Sequence, residues 1–128
     1  MKRLLLDTHV LLWWLEDNPS IGRIAKASIM DGYNEVYVSA ATTWEISIKK
    51  VLGKLNAPDD METIVEEERF IKLPITLYHG QMAGMLPLYH RDPFDRMLIA
   101  QAQAEGLTII TSDGIFSKYG VRIMKSGE

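Results

Sequence analysis

The opening stretch of the chain, MKRLLLDTHVLLWWLED over residues 1–17, joins an apolar run to a helical pattern through one aspartate. Leu4 to Leu6 form a short run that is typical of a strand buried on both faces. From Thr8 to Glu16 the spacing of apolar residues predicts a helix. Asp7 interrupts the apolar residues and no small-residue cleavage site follows, which is unlike a signal peptide. We therefore predict a strand at residues 3–6 that leads directly into a helix.

The rest of the chain repeats this alternation of apolar strands and helical segments. Strands that are separated by helices need crossover connections, and these favour parallel pairing. Because the strands lack strict apolar–polar alternation, we expect helices on both faces of the sheet. The predicted class is α/β, a three-layer α/β/α fold with a central, mainly parallel sheet in a single domain over residues 1–128. Helices are predicted at residues 8–16, 21–30, 40–52, 61–70, 77–86 and 93–105, and strands at 3–6, 35–38, 71–75, 107–111 and 121–124.

The composition is that of an ordinary globular protein, with 47% hydrophobic and 24% charged residues among 128. A chain of this size buries roughly two-thirds of the surface that it exposes when unfolded. No apolar run approaches the ~18 residues that a membrane span needs, so we expect no membrane partner. The sequence has no cysteine, which excludes disulfides, thiolate metal ligands and a cysteine nucleophile. A cytoplasmic location is the expectation that fits this composition.

The formal net charge of −3 argues against a broadly basic, nucleic-acid-binding surface. A simple interpretation of the mild acidity is solubility. A second interpretation is an acidic site that becomes locally positive when metal ions bind to it.

Four acids fall where the predicted strands end or the predicted helices begin. Asp7 and Asp113 come directly after strands, whereas Glu45 and Asp95 lie within the first two turns of helices. In a parallel sheet, ligands gather beyond the carboxyl ends of the strands. The helices that follow these strands also begin at this edge, so the four carboxylates are predicted to converge there.

Each acid also has a purely structural interpretation. Asp7 and Asp113 can cap the segments that follow them. Asp92, which precedes a proline, is an ordinary helix N-cap, and Asp95 then falls at the third helical position, where an acid favours the helix dipole. Glu45 can lie on a solvated helix face. Taken together, however, four close carboxylates would repel one another without a cation. Mg²⁺ and Mn²⁺ prefer oxygen ligands, and such ions promote phosphodiester cleavage.

The chain resembles the PIN-domain proteins, specifically the VapC-type toxins of toxin–antitoxin pairs. The run Leu4-Leu5-Leu6-Asp7-Thr8-His9 is similar to the opening strand and first acid of that family. The second, third and fourth acidic motifs of the family are also matched, in the same order, so that the likeness covers essentially the whole chain. The second is similar to Val38-Ser39-Ala40 with Trp44-Glu45-Ile46 and Lys49. The third is similar to His90-Arg91-Asp92-Pro93-Phe94-Asp95-Arg96 with Ile99-Ala100-Gln101-Ala102, and the fourth to Thr111-Ser112-Asp113.

The resemblance implies a metal-dependent endoribonuclease that hydrolyses RNA with a metal-activated water. It implies that Asp7, Glu45, Asp95 and Asp113 are the catalytic residues and the ligands of Mg²⁺ or Mn²⁺. Thr111 matches a hydroxyl position beside the last acid and is predicted to help hold a metal-bound water. The implied partners are an RNA substrate, a cognate VapB-like antitoxin and a second copy of the chain in a homodimer.

Several further residues near these motifs are candidates for auxiliary roles. Asp92 is an extra acid beside the site. Lys49, Arg91 and Arg96 are candidates for RNA contact, although Lys49 can simply lie on a solvated helix face and Arg96 can pair with the neighbouring acids. The three histidines do not have a metal-ligand spacing, and His90 is the one that lies close to the acids in sequence.

Two other functions fit parts of the pattern. A PIN-like module without catalytic activity could act in binding, and metal affinity without turnover would favour it. An Asp-based phosphotransfer domain also places an aspartate after its first strand. That function would leave Glu45 and Asp95 unexplained, and the residue two positions after Asp7 is His9 rather than a second aspartate.

Overall fold

A computed structural model of the chain describes all residues from 1 to 128 and contains one five-stranded sheet. All four pairings between neighbouring strands are parallel, and the spatial order is β3-β2-β1-β4-β5. The chain therefore builds outward from the central strand to one side and then switches to the other. The strands are β1 (Arg3–Leu6), β2 (Glu35–Ser39), β3 (Ile71–Leu73), β4 (Thr108–Thr111) and β5 (Ile123–Lys125).

Six α-helices connect the strands, and one short 3-10 helix follows β4. Every α-helix predicted from the sequence is present, with ends that differ by zero to three residues. The helices are α1 (Thr8–Leu15), α2 (Arg23–Met30), α3 (Ala40–Val51), α4 (Met61–Glu67), α5 (Leu77–Met85) and α6 (Pro93–Glu105), and the 3-10 helix is Gly114–Tyr119. None of them is long and apolar enough to cross a membrane.

The central strand divides the apolar core into two layers. Leu4 and Leu6 pack in one core cluster with residues of α1, α2 and α4. Leu5 packs in the other cluster with residues of α5 and α6. All three leucines are fully buried, as expected for alternate side chains of a strand that is covered on both faces. This arrangement confirms the predicted α/β/α fold and its parallel sheet.

Backbone chemistry explains where several elements differ from their predicted bounds. The second helix begins at Arg23 instead of residue 21 because Gly22, its N-cap, is extended. The last strand begins at Ile123, after Gly120 adopts a left-handed conformation with φ of 74°. Glycine adopts such a conformation at little cost. The 3-10 helix at Gly114–Tyr119 was not predicted, because a segment of two short turns carries too little periodicity.

Candidate active site

The four predicted acids lie at the carboxyl edge of the sheet, where its topology switches direction. Asp7 follows β1, and Asp113 follows the neighbouring parallel strand β4 with one residue between. Glu45 lies in the second turn of α3, and Asp95 lies in the first turn of α6. Crevices at such switch points are the usual ligand sites of open α/β sheets. The charges of Asp7 and Glu45 both act on Asp95, and that of Asp113 acts on Asp7, which shows that the four carboxylates share one region.

Thr111 ties two of these acids together from within the sheet. Its hydroxyl donates to Asp7 Oδ2 at 2.5 Å and accepts the Asp113 backbone N–H at 3.0 Å. The side chain is 1% exposed, so water does not compete for these bonds. Asp7 also accepts the Val10 backbone N–H at 2.9 Å and thereby caps α1. Asp7 is therefore both a helix cap and a member of the acidic cluster.

A histidine occupies the space between the other pair of acids. His90 Nε2 lies 2.9 Å from Asp95 Oδ2 and 3.0 Å from Asp113 Oδ2. The ligand atoms of these three residues lie within 4.8 Å of one another, as a metal site requires. The His90 backbone N–H donates to Tyr119 Oη at 2.7 Å, and its ring meets Phe116 edge-on at 5.7 Å. The imidazole is thus held firmly against both carboxylates.

Glu45 is buried, with only 4% of its surface exposed, rather than placed on a solvated helix face. Its Oε1 accepts the Thr8 hydroxyl at 2.7 Å, and its Oε2 contacts Lys49 Nζ at 2.7 Å. Thr8 directly follows Asp7, so this bond joins the acid on α3 to the acid after β1. The ion pair with Glu45 raises the pKa of Lys49 and keeps its ammonium group charged beside the acids.

Burial and like charges raise the pKa values of two of the acids. Removal from water, together with the charges of Asp92, Glu45 and Asp7, raises the pKa of Asp95 to about 7, although His90 opposes the rise. Burial also raises the pKa of Asp7, while bonds from Thr111 and Val10 oppose that rise. The site therefore holds more negative charge than its surroundings compensate.

Asp92 starts α6 as the sequence predicted. Its carboxylate accepts the backbone N–H groups of Phe94 at 2.8 Å and Asp95 at 3.1 Å, with Pro93 at the first helical position. This cap determines where the first turn of α6 begins, and the first turn carries Asp95. Asp92 acts on the site by fixing the helix start and by adding its charge.

One predicted RNA contact is wrong. Arg96 is 8% exposed and faces inward, where its guanidinium donates to the backbone carbonyls of Ala83, Leu86 and Pro87, each at 2.9 Å. A buried guanidinium needs its donors satisfied, and the last turn of α5 and the loop that follows it supply the acceptors. Arg96 is thus unavailable to a phosphate. Arg91 is exposed beside the site, and Lys49 is engaged by Glu45.

Sequence reasoning placed His90 near the acids of its own segment but missed its contact with Asp113, which lies 23 residues away on another element. The pairing of Glu45 with Lys49 did have a local signal, since residues four apart on a helix are neighbours and this order of charges is favourable. Helical spacing therefore predicts the Glu45–Lys49 contact, whereas the His90–Asp113 contact depends on how separate elements pack.

Comparisons with known proteins agree with this fold. The sequence model of one protein family, described as PIN domain, matches residues 4–121. No curated protein matches the chain.

Solved structures similar to the fold include DNA-bound VapBC from Salmonella typhimurium, with a TM-score of 0.70, 21% identity, and 97% of this chain and 98% of that chain covered. VapBC-1 from nontypeable Haemophilus influenzae gives a TM-score of 0.70 at 16% identity and covers 98% of this chain and 99% of its own. FitAB bound to the IR36 DNA fragment has a TM-score of 0.68 at 20% identity, with 98% of this chain and 96% of that chain covered.

Proposed function

The chain belongs to the PIN domain family, and from this premise we propose that it is a metal-dependent endoribonuclease and the toxin of a VapBC-type toxin–antitoxin pair. The observation that carries the proposal is the meeting of four acids at one edge of the sheet. They are Asp7, Glu45, Asp95 and Asp113. Repulsion between such close carboxylates costs folding free energy unless a cation neutralises their charge. The presence of the cluster therefore supports a function in which a cation is bound.

A divalent cation fits these residues. All four donors are carboxylates, which are the ligands that Mg²⁺ and Mn²⁺ prefer. The pKa of Asp95, raised to about 7, leaves this carboxyl group partly protonated at neutral pH until a nearby positive charge favours the ionised form. We propose that the four acids hold Mg²⁺ or Mn²⁺. When bound, such an ion supplies an activated water and stabilises charge that develops on the phosphate.

The remaining residues of the site orient the acids and approach the substrate. Thr111 holds Asp7 and sets the backbone of Asp113. Lys49 neutralises part of the charge on Glu45 in the absence of a cation, and it becomes available to a backbone phosphate once a cation takes over Glu45. Arg91 is exposed next to Asp92 and contacts a second phosphate, as expected of an arginine in RNA recognition.

An antitoxin and a second copy of the chain are the proposed protein partners. The similar solved structures named above are VapBC and FitAB complexes, which supports an antitoxin of the VapB type. Large apolar side chains are exposed on and after α5, including Leu77 at 96%, Met85 at 70% and Leu88 at 69%. Large apolar side chains left exposed often mark an interaction surface, and we propose that these belong to the homodimer interface.

The test is cleavage of total cellular RNA by the purified protein with Mg²⁺, with Mn²⁺ and with a chelator. We expect discrete cuts that disappear with the chelator and in the Asp95→Asn variant. Circular dichroism of that variant checks that its fold is retained. If folded protein binds the metal but leaves every RNA intact, the endoribonuclease proposal fails and a binding module without catalytic activity replaces it.

A further inference from the structure

An exposed tryptophan is next in sequence to one of the acids of the site. Trp44 on α3 immediately precedes Glu45, and 60% of its surface is exposed. Tryptophan is among the residues that proteins bury most on average, and Trp13 and Trp14 of this chain are half-buried. Nothing in the contacts of Trp44 covers its outer face. An aromatic ring left open next to a candidate catalytic acid therefore calls for a functional explanation.

A second aromatic residue places Trp44 relative to the acids. The rings of Trp44 and Phe94 meet edge to face, with centroids 5.2 Å apart and an interplanar angle of 78°. Phe94 immediately precedes Asp95, just as Trp44 precedes Glu45, and consecutive Cα atoms are only 3.80 Å apart. Side chains at consecutive helix positions point in different directions, so the aromatic pair and the two acids lie on neighbouring faces of the same two helices, α3 and α6.

The aromatic pair borders a cavity of about 260 Å³. Its other walls are apolar or small and include Ile75, Ala83 and Met97. The charged group of Arg96, which also lines it, is already bonded to backbone carbonyls. The cavity therefore offers apolar surface and an open ring face rather than a free charge. It suits a flat, uncharged ring better than a phosphate.

We propose that Trp44, supported by Phe94, forms a stacking subsite for the nucleobase that flanks the scissile phosphate of a single-stranded RNA. The proposal rests on the proposed function, because it requires an RNA that is cut at the acids. Every nucleobase has a π face, and aromatic residues that stack on bases are a common device for single-stranded nucleic acids. Trp44 is thus a positioning residue that helps to determine where the RNA is cut.

The first experiment compares cleavage of a short single-stranded RNA by wild type and three variants in the presence of Mn²⁺. We expect Trp44→Ala to lower kcat/KM about 10-fold or more, because stacking is worth about 1–3 kcal/mol per base and 1.4 kcal/mol is tenfold. Trp44→Phe keeps a ring and should retain most of the activity. Tyr33→Ala is the matched control, since Tyr33 is an aromatic residue, 84% exposed, that precedes β2 at the opposite edge of the sheet.

The second experiment removes the base instead of the ring. An RNA with one abasic nucleotide next to the cut should be cleaved about 10-fold more slowly by wild type, and Trp44→Ala should add no further loss on this RNA. Gly84→Leu provides an independent block of the cavity, because Gly84 lines it and a Cβ atom added there meets no atom within 4 Å, which leaves room for the larger side chain. This variant should reproduce the loss on intact RNA.

The outcomes separate the two proposals. If wild type with metal cleaves no RNA, the proposed function fails and the subsite fails with it. If wild type cleaves and Trp44→Ala cleaves equally well, only the subsite is overturned. Equal losses of Trp44→Ala on intact and abasic RNA would also overturn it, because the ring would then not act through the base. Unchanged cleavage combined with burial of Trp44 by a protein partner would assign the cavity to protein docking instead.

Discussion

Two groups of charged residues lie at opposite edges of the same sheet, and they are built differently. At the amino edge, Arg3 Nε contacts Glu35 Oε1 at 3.1 Å, and its other nitrogens donate to Tyr37 Oη and the Glu105 carbonyl. There one cation meets one anion and neutral acceptors. At the carboxyl edge, five acids share two basic partners, Lys49 and His90. These five are Asp7, Glu45, Asp92, Asp95 and Asp113.

The two edges differ in whether the chain itself supplies enough opposite charge to balance the group. The hydrogen bond with Tyr37 and, to a lesser extent, the Glu35 carboxylate raise the pKa of Arg3, so its charged form is favoured. At the other edge, burial and like charges raise the pKa of Asp95 to about 7, so the charged form is disfavoured. The first group holds strands together, whereas the second is completed only by an added positive charge. The following predictions test this contrast, from the largest expected effect to the smallest.

The largest effect is expected from Asp7→Asn. Asparagine caps helices as well as aspartate does, so the change removes the charge and keeps the cap of α1. We expect loss of RNA cleavage by about 1000-fold or more, with secondary structure unchanged by circular dichroism. Asp60→Asn is the matched control, because Asp60 is also an N-cap aspartate but belongs to α4. Equal activities of the two variants would remove Asp7 from the site.

The next largest effect is expected from Thr111→Val, which keeps the shape of the side chain and removes its hydroxyl. Asp7 Oδ2 loses a donor and the Asp113 N–H loses an acceptor. We expect Mn²⁺ affinity to fall about 10- to 100-fold, as for other residues that orient metal ligands. Isothermal titration measures it, and Thr108→Val at the start of the same strand serves as control. Unchanged affinity would mean that Thr111 only stabilises the sheet.

A smaller effect concerns pH. Because the pKa of Asp95 is raised from 3.8 to about 7 in the folded state, the folded protein binds the proton more tightly than the unfolded chain. The resulting stability is present below pH 3.8 and is lost as pH rises to about 7. In urea with chelator, wild type should lose about 4 kcal/mol more stability than Asp95→Asn over this pH range. Parallel pH profiles for the two proteins would contradict the proposed crowding of charge.

The smallest effect is expected at the amino edge. Arg3→Met keeps an apolar stem but removes the guanidinium, and partly exposed ion pairs contribute little. We expect a small loss of thermal stability that shrinks as salt is added, with no change in Mn²⁺ affinity. Thermal unfolding at low and high ionic strength measures this loss and its dependence on salt. A change in Mn²⁺ affinity would show that Arg3 affects the acidic site, and would contradict the view that the two edges act independently.

Most of the fold could be predicted from short-range patterns. The apolar run at Leu4–Leu6, the cap and proline at Asp92 and Pro93, and the acids at strand ends are all local in sequence. Their consequences are local too, since a cap or a buried run acts within a few residues. The 3-10 helix after β4 and the shifted start of the last strand were not predicted, because short turns have weak sequence signals.

The candidate site divides in the same way. The sequence by itself determined which acids reach the carboxyl edge, because a parallel sheet directs every strand end to that edge. Only the tertiary structure decided that His90 bridges Asp95 and Asp113, and that Arg96 turns inward to carbonyls at the end of α5 and just after it. Those outcomes depend on which polar groups lose access to water when helices and loops pack together, and a buried donor bonds to whatever acceptor that packing leaves within reach.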